Sequence, residues 1–519
     1  MMTSMIDKNF HTGSKIDILL GMILVLNISM IHAQVSISPG TWITVKEGAS
    51  MMIGTDLHIK SIEESSGFFV DQTNNGDVTI TGDILVERFM TPDEWHNVAS
   101  PVSNETSDCF TGTELVFWYD ETQIWNDWNF GWVWYDGATG GPLMVFRGYD
   151  VFFDADPVTI NYSATGAETL NTGDYTSPVT ITNPAPNPIE IPSHLGWNLA
   201  GNPYPSPVDW LASSGWDKSD INDAKYIWDG NLDLYTIFIG GGSPIGINGG
   251  TRFIPSNQGF WVQATTTGSI GIANSVRIGD MSGTPDFYKV QPPDYPLVSL
   301  VATGNNKHDE IIIRFIEGTT GGFDLNYDAS KLFSFVEDVP QLSVKSGKNS
   351  LALSTVPALA NGLAFSLTFQ CGIPGNYSID LANRTILADT ISVYLLDELT
   401  SAVTNLSELR QYEFYHDPSY TGERFKLLFN PSEADLKRMG QDTYFSVYAT
   451  GHIINIIRNN YDDLSGWIYI YNLMSQPVCE KILDNHQKST LNVNVPTGYY
   501  IIYIVTNQYV YTKKILIIN

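Results

Sequence analysis

The side chains in this sequence that stand close enough together to suggest chemistry are oxygen donors and aromatic rings. Asp324-Leu-Asn-Tyr-Asp328 sets Asp324, Asn326 and Asp328 at alternate positions, as at the opening of a calcium loop, where such oxygens converge on one cation. Ala329 replaces the turn glycine of an EF-hand and Phe335 its bidentate glutamate. That excludes an EF-hand and leaves a Ca2+ site of another kind as the candidate. Asp217, Asp220 and Asp223, one carboxylate every third residue, are a second candidate, and for both the plainer reading is a solvated polar loop. Trp118, Trp125, Trp128, Trp132 and Trp134 crowd one stretch, with Asn126, Asp127 and Asn129 between them. Flat rings flanked by amides suit stacking on a sugar, so Trp125, Trp128, Asn126 and Asn129 are the candidate ligand-binding residues. Trp118 and Trp134 read rather as core, since large rings dominate cores.

The usual catalytic patterns are missing. His58, His96, His194, His308, His416, His452 and His486 are isolated, without the H-E-x-x-H spacing that places two zinc ligands on one helix face. There is no G-x-S-x-G elbow and no phosphate-wrapping loop, and Gly240-Gly-Gly-Ser-Pro-Ile-Gly246 lacks the lysine and reads as a hairpin loop. A glycosidase needs only two carboxylates about 5 to 10 Å apart, a distance that spacing cannot reveal in a β-protein. Glu105, Asp108, Glu114, Asp120 and Glu121 are the acids nearest the aromatic stretch. Cys109, Cys371 and Cys479 are far apart and form no disulfide framework.

The elements that must position these groups are strands. The 519 residues exceed what one core can serve, and 12% aromatic residues with 44 Gly and 26 Pro suit many short strands divided by turns. The expected fold is all-β: a multidomain chain of β-sandwiches, with a small immunoglobulin-like β-sandwich at the C-terminus. From Val35 to Met90, apolar runs recur with glycines between them, which fits either a short N-terminal β-solenoid or the first sheet of a sandwich. The net charge of −29, retained when residues 1–33 with Asp7, Lys8, Lys15 and Asp17 are removed, repels phosphate. No nucleic-acid partner is expected.

Lys8, His11 and Lys15 precede an apolar run from Ile18 to Ile31, and the small Ala33 follows. That order is a secretory signal peptide. The run is interrupted by Asn27 and Ser29 and is short for a bilayer core, which needs about 20 residues; a retained anchor is the alternative.

Residues 85–275 carry a diverged duplication. Trp95, Asn97, Val98, Ala99 and Pro101 match Trp197, Asn198, Leu199, Ala200 and Pro203. Trp118-Tyr-Asp120 matches Ile227-Trp-Asp229, and Gly148, Tyr149 and Val151 match Gly259, Phe260 and Val262. Gly196-Trp-Asn-Leu-Ala-Gly-Asn-Pro-Tyr-Pro-Ser-Pro-Val-Asp-Trp210 is the most distinctive segment, its prolines enforcing a rigid turn. With Asn257-Gln-Gly-Phe260 it resembles a module of large surface proteins from bacteria that use type IX secretion, a family without a settled biochemical role.

The terminal segment also resembles a known module. Ile468-Tyr-Ile-Tyr-Asn472, Gly498-Tyr-Tyr-Ile-Ile-Tyr503 and Lys513-Lys-Ile-Leu-Ile-Ile518 are similar to strands of the type IX secretion C-terminal sorting domain, although Ala449-Thr-Gly451 replaces the usual Pro-Asn-Pro and Met474-Ser475 the usual Gly. The resemblance implies a sorting signal at Gly498, Tyr499, Lys513 and Lys514, type IX secretion machinery as partner, and a secreted or cell-surface location reached through the periplasm. The expected organisation is a signal peptide over 1–33, a solenoid-like segment over 34–90, a duplicated Trp-rich β-domain over 91–285, a β-sandwich over 297–432 and the sorting domain over 441–519. The expected function is non-catalytic and adhesin-like, binding a surface glycan or another envelope component without a cofactor. The competing reading is a secreted polysaccharide hydrolase carrying the same sorting domain.

Overall fold

The computed structural model describes the backbone of residues 15–18 and 24–26, and residues 34–73, 77–113, 115–124, 131–135, 141–154, 156–183, 188–279, 295–385, 387, 391–420, 422–438, 444–458, 465–484, 486–507 and 510–518. Strands dominate, and the helices among the described residues are short, such as Leu406–Leu409 and Glu433–Arg438. None is long and apolar enough to cross a membrane. The chain divides into two compact units, Met1–Asn231 with Tyr235–Gln291, and Leu232–Leu234 with Pro292–Asn519.

The first unit opens with three walls of parallel strands. One stacks Lys15–Ile18, Trp42–Val45 and Phe68–Asp71; the second stacks Leu24–Leu26, Met51–Ile53 and Val78–Ile80; the third stacks Gln34–Ile37, Asp56–Ile59 and Ile84–Met90. Visiting the walls in rotation and returning one layer higher each time is the path of a β-solenoid, and it resolves the alternative that spacing left open. Inward side chains align in ladders, Val35–Leu57–Ile84 and Ile37–Ile59–Val86 among them, so each layer covers the apolar face of the last.

The last solenoid strand also begins a six-stranded unit that occurs twice. The first copy is β1 (Ile84–Met90), β2 (Trp95–Val98), β3 (Val116–Tyr119), β4 (Trp132–Trp134), β5 (Tyr149–Phe152) and β6 (Val158–Ala164). The second is β7 (Tyr175–Val179), β8 (Trp197–Gly201), β9 (Ile221–Asp229), β10 (Leu234–Ile239), β11 (Gly259–Ala264) and β12 (Gly268–Ile272). In each copy the first and last strands pair antiparallel. The middle four take the order β2-β5-β3-β4 in one copy and β8-β11-β9-β10 in the other. The register Val98↔Tyr149 corresponds to Ala200↔Phe260, which aligns Asn97 with Leu199 and not with Asn198.

The copies meet about a pseudo-two-fold axis, because their contacts are reciprocal. Val98 bridges Gln258, and Ala200 bridges Arg147. Ala99 N donates to Asn257 O at 3.0 Å, and Gly201 N donates to Phe146 O at 3.3 Å. Phe146 and Asn257 share a left-handed φ, 65° and 60°, so one unusual turn is kept in both copies. The glycines that follow are required by close approach: a Cβ on Gly148 would lie 2.6 Å from Leu199 Cγ, and one on Gly259 would lie 2.9 Å from the Asn97 carbonyl carbon. An isologous contact of this kind is the rule for two-fold dimers; here it is built into one chain.

A buried polar network fastens the solenoid to the second copy. Arg277 donates to Phe69 O at 2.8 Å and Ser206 Oγ at 3.1 Å and lies 4.7 Å from the centre of the Tyr204 ring, while Thr172 Oγ1 donates to Asp71 at 2.7 Å. Burial pulls the Arg277 guanidinium down to about 10, still far above neutral pH, so it stays charged.

In the second unit, residues 297–432 form one eleven-stranded sheet, with ten strands in a path from Ala402–Asn405 at one end to Gln411–His416 at the other and Ala329–Ser330 paired off that path. Register shifts at Ser299/Leu300 and Leu367/Thr368 bend its strands, as bulges do, and the sheet curls around a single core centred on Leu300, Ile313, Leu367 and Phe414. The C-terminal segment is a two-sheet sandwich. Phe445–Thr450, Ile453–Arg458 and Lys488–Asn492 face Pro477–Leu483, Gly466–Asn472, Gly498–Thr506 and Val510–Ile517 across a core of Ile456, Ile470, Ile502 and Ile504.

Candidate functional site

The pseudo-two-fold seam creates two equivalent clefts. In each, the end of the third strand of one copy faces the second strand of the other copy. The smaller, about 90 Å³, is lined by Trp118, Tyr119, Asp120, Glu121 and Arg147 from the first copy and by Ser177–Thr180 and Asn198–Ala200 from the second. The larger, about 310 Å³, is lined by Arg88, Glu94, His96, Asn97 and Val98 from the first copy and by Ile227–Asn231, Thr236 and Gln258 from the second.

In the smaller cleft Arg147 lies over the Trp118 ring, 4.3 Å from its centre, a cation–π arrangement. Asn198 fixes the opposite wall: its side chain donates to Thr180 O at 2.8 Å and Gly196 O at 2.9 Å and accepts from Thr180 N at 3.0 Å. Burial raises the Glu121 carboxyl above the usual range against hydrogen bonds that lower it, and its Oε1 accepts from Thr182 N at 2.6 Å. Asp120 caps the next turn, accepting from Thr122 N at 3.0 Å and Thr122 Oγ1 at 2.6 Å. Glu105 accepts from Ser163 N at 2.6 Å and Thr106 N at 3.0 Å. These acids hold backbone.

The larger cleft is built differently. His96 Nε2 donates to Thr91 O at 2.8 Å, and burial lowers the ring's pKa, which favours neutral imidazole with Nδ1 as an acceptor. Asn97 donates to Asp150 at 2.7 Å and accepts from Trp261 Nε1 at 3.1 Å, while Gln258 Nε2 donates to Asn97 O at 2.9 Å. Among the described residues, Arg88 reaches Gln258 Oε1 at 3.4 Å, and its Nε is buried with no hydrogen-bond partner.

Trp125, Trp128, Asn126 and Asn129 lie outside the described residues. Trp118 is half-buried, as a core reading allows, but Trp134 is 57% exposed. It lies on β4, the edge strand of its sheet among the described residues. The Gly196–Trp210 segment is architecture. Trp197, Tyr204 and Trp210 are fully buried, and Asn202 donates to Ser206 O at 2.9 Å and Pro255 O at 2.8 Å.

At the calcium candidate, Asp328 is buried, and its oxygens accept from Asp324 N at 2.7 Å and Thr355 N at 2.6 Å. Asp324 accepts from Thr320 N at 2.6 Å and Thr320 Oγ1 at 3.1 Å, and Asn326 is exposed. Asp217 accepts from Ser219, Asp220 from Ser269 and Thr266, and Asp223 from Lys218. Among the described residues, no three His, Cys, Asp or Glu side chains converge as a metal site.

In the terminal sandwich, Lys514 Nζ stands 4.1 Å from the centre of the Tyr499 ring, and Lys513 Nζ donates to Ser401 O at 3.1 Å. Burial lowers Lys513 to about 8. Gly498 opens the strand Gly498–Thr506, which pairs along its length with Val510–Ile517.

The sequence pattern missed Arg88, His96 and Gln258 as cleft residues. The duplication was the available signal, since the cleft walls are strands it aligns.

Comparison with known proteins adds little. Residues 231–429 match a family described as a domain of unknown function (DUF8693). No curated protein matches the chain. A solved structure titled "Biofilm associated protein - BSP domain" aligns over 84% of this chain and 92% of that chain at 8% identity, with a TM-score of 0.18, too low to carry an argument.

Proposed function

We propose that this chain is an exported, cell-surface, non-catalytic protein whose duplicated β-domain binds a surface glycan or another envelope component. The observation that carries the reading is the pair of clefts at the seam, where arginine, amide and aromatic groups converge while Glu105 and Asp120, and Oε1 of Glu121, accept from backbone donors. Polar groups placed at the mouth of a concave, ring-lined surface are what oriented binding of a polar ligand requires. The terminal sandwich, whose last strand carries Lys513 and Lys514, and the signal-like order of residues 1–33 support export by a type IX-like route, although Lys15–Ile18 and Leu24–Leu26 within that segment pair as the first layer of the solenoid. The test is a polysaccharide panel on the purified chain, scoring retention together with release of reducing ends. Retention without release is expected. Release would overturn the non-catalytic reading, and neither retention nor release would overturn glycan binding.

A second reading, a polysaccharide hydrolase, is favoured by the raised carboxyl of Glu121 beside Asp120, since a general acid needs an elevated pKa. Loss of reducing-end release in Glu121→Gln would establish it.

A further inference from the structure

Resting on the glycan-binding reading, we propose that the larger cleft is specific for an acidic sugar and that Arg88 holds its carboxylate. The inward row of β1 reads Ile84, Val86, Arg88, Met90, a guanidinium among apolar neighbours. Among the described residues, Arg88 Nε is buried without a hydrogen-bond partner, its guanidinium approaches Gln258 Oε1 at 3.4 Å, and no carboxylate forms an ion pair with it. In a chain with 56 acidic residues against 27 basic ones, a cation left without an acid at a cleft wall is conspicuous, because an uncompensated buried charge is costly. A planar carboxylate answers the guanidinium fork with two parallel hydrogen bonds.

Acceptors stand beside the guanidinium in the cleft, together with the amides of Gln258 and Asn231 and the hydroxyl of Thr236. His96 Nδ1 is left as an acceptor because Nε2 donates to Thr91 O, and Glu94 and Asp229 add carboxylate oxygens to the lining. One cation beside acceptors complements a molecule with one carboxylate and several hydroxyl donors, which is a uronic acid. A neutral sugar would leave the guanidinium unanswered, and a sulfated one would crowd the acceptors with further anionic oxygens.

The duplication sharpens the assignment. Where the larger cleft has Arg88 and Gln258, the smaller has Ser177 and Arg147, and that arginine is already stacked on Trp118. The smaller cavity, at about 90 Å³, falls well below the roughly 300 to 1,000 Å³ of small-molecule sites, whereas about 310 Å³ reaches that range. Only one of the two symmetric clefts has both room and an uncommitted cation.

The test is calorimetric titration of the whole chain with oligogalacturonate, a neutral galactose oligomer and a sulfated dextran. Oligogalacturonate should bind and the other two should not. Arg88→Gln should weaken binding at least tenfold, and Lys46→Gln, an exposed cation outside both clefts, should leave it unchanged. Asn231→Trp, an exposed rim position away from the Arg88 contacts, should block the cleft without disturbing the buried row, which guards against a folding defect in Arg88→Gln. Oligogalacturonate binding that survives both Arg88→Gln and Asn231→Trp, or a preference for the sulfated polymer, would overturn the proposal. Equal binding of the neutral oligomer would overturn it while leaving glycan binding intact, and silence across a wider panel would overturn both.

Discussion

Lys225 is buried in the second copy of the duplicated unit, 2% exposed on β9, with the Phe238 ring centre 5.9 Å from its Nζ. Burial alone pulls its pKa from 10.5 to about 7. Between those values the unfolded chain binds a proton that the folded chain does not, so stability rises with pH across that window, and the penalty is fully present below about pH 7. At about 1.4 kcal/mol for each factor of ten in proton affinity, keeping this amine buried costs roughly 4 to 5 kcal/mol at pH 6. The cost shrinks to under about 1 kcal/mol by pH 10. Lys225→Met keeps the volume and removes the charge, so it should stabilise the first unit by several kcal/mol at pH 6 and by little at pH 10. Denaturant unfolding followed by tryptophan fluorescence is the suitable assay, because every one of the 13 tryptophans except Trp467 belongs to that unit. A gain of the same size at both pH values, or a loss at pH 6, would refute the reasoning.

Other expectations follow from the seam, the loops and the C-terminus. Gly148→Val, which forces side-chain atoms against Leu199 and the Ala200 carbonyl oxygen, should cost about 2 to 4 kcal/mol in the same unfolding assay, and an unchanged midpoint would refute the close approach at the seam. Millimolar Ca2+ should leave the melting temperature nearly unchanged, because Asp324 and Asp328 already accept from backbone N–H groups; a rise of several degrees in calorimetry would establish a cation site. Deleting residues 440–519 should leave the protein in the periplasm, and fractionation that finds the truncated chain at the cell surface would refute a sorting role.

The all-β class was legible in the sequence because it is written locally: alternation with period two and glycine and proline punctuation act over a few residues. The duplication was legible because Trp95/Trp197 and Gly148/Gly259 repeat at nearly constant separation. Strand pairing partners were not legible. A solenoid strand and a sandwich strand carry the same alternation, and only the parallel stacking of Asp56–Ile59 between Gln34–Ile37 and Ile84–Met90 decided between them. The sequence also did not show which rings would be covered. Trp197 and Trp210 are buried by neighbours far along the chain, while Trp134, on the edge strand among the described residues, is exposed. The larger cleft was the least legible feature, since Arg88 and Gln258 lie 170 residues apart and meet only where two copies of one unit close about an axis. Which side chains face each other across that seam is set by tertiary packing, and no local pattern encodes it.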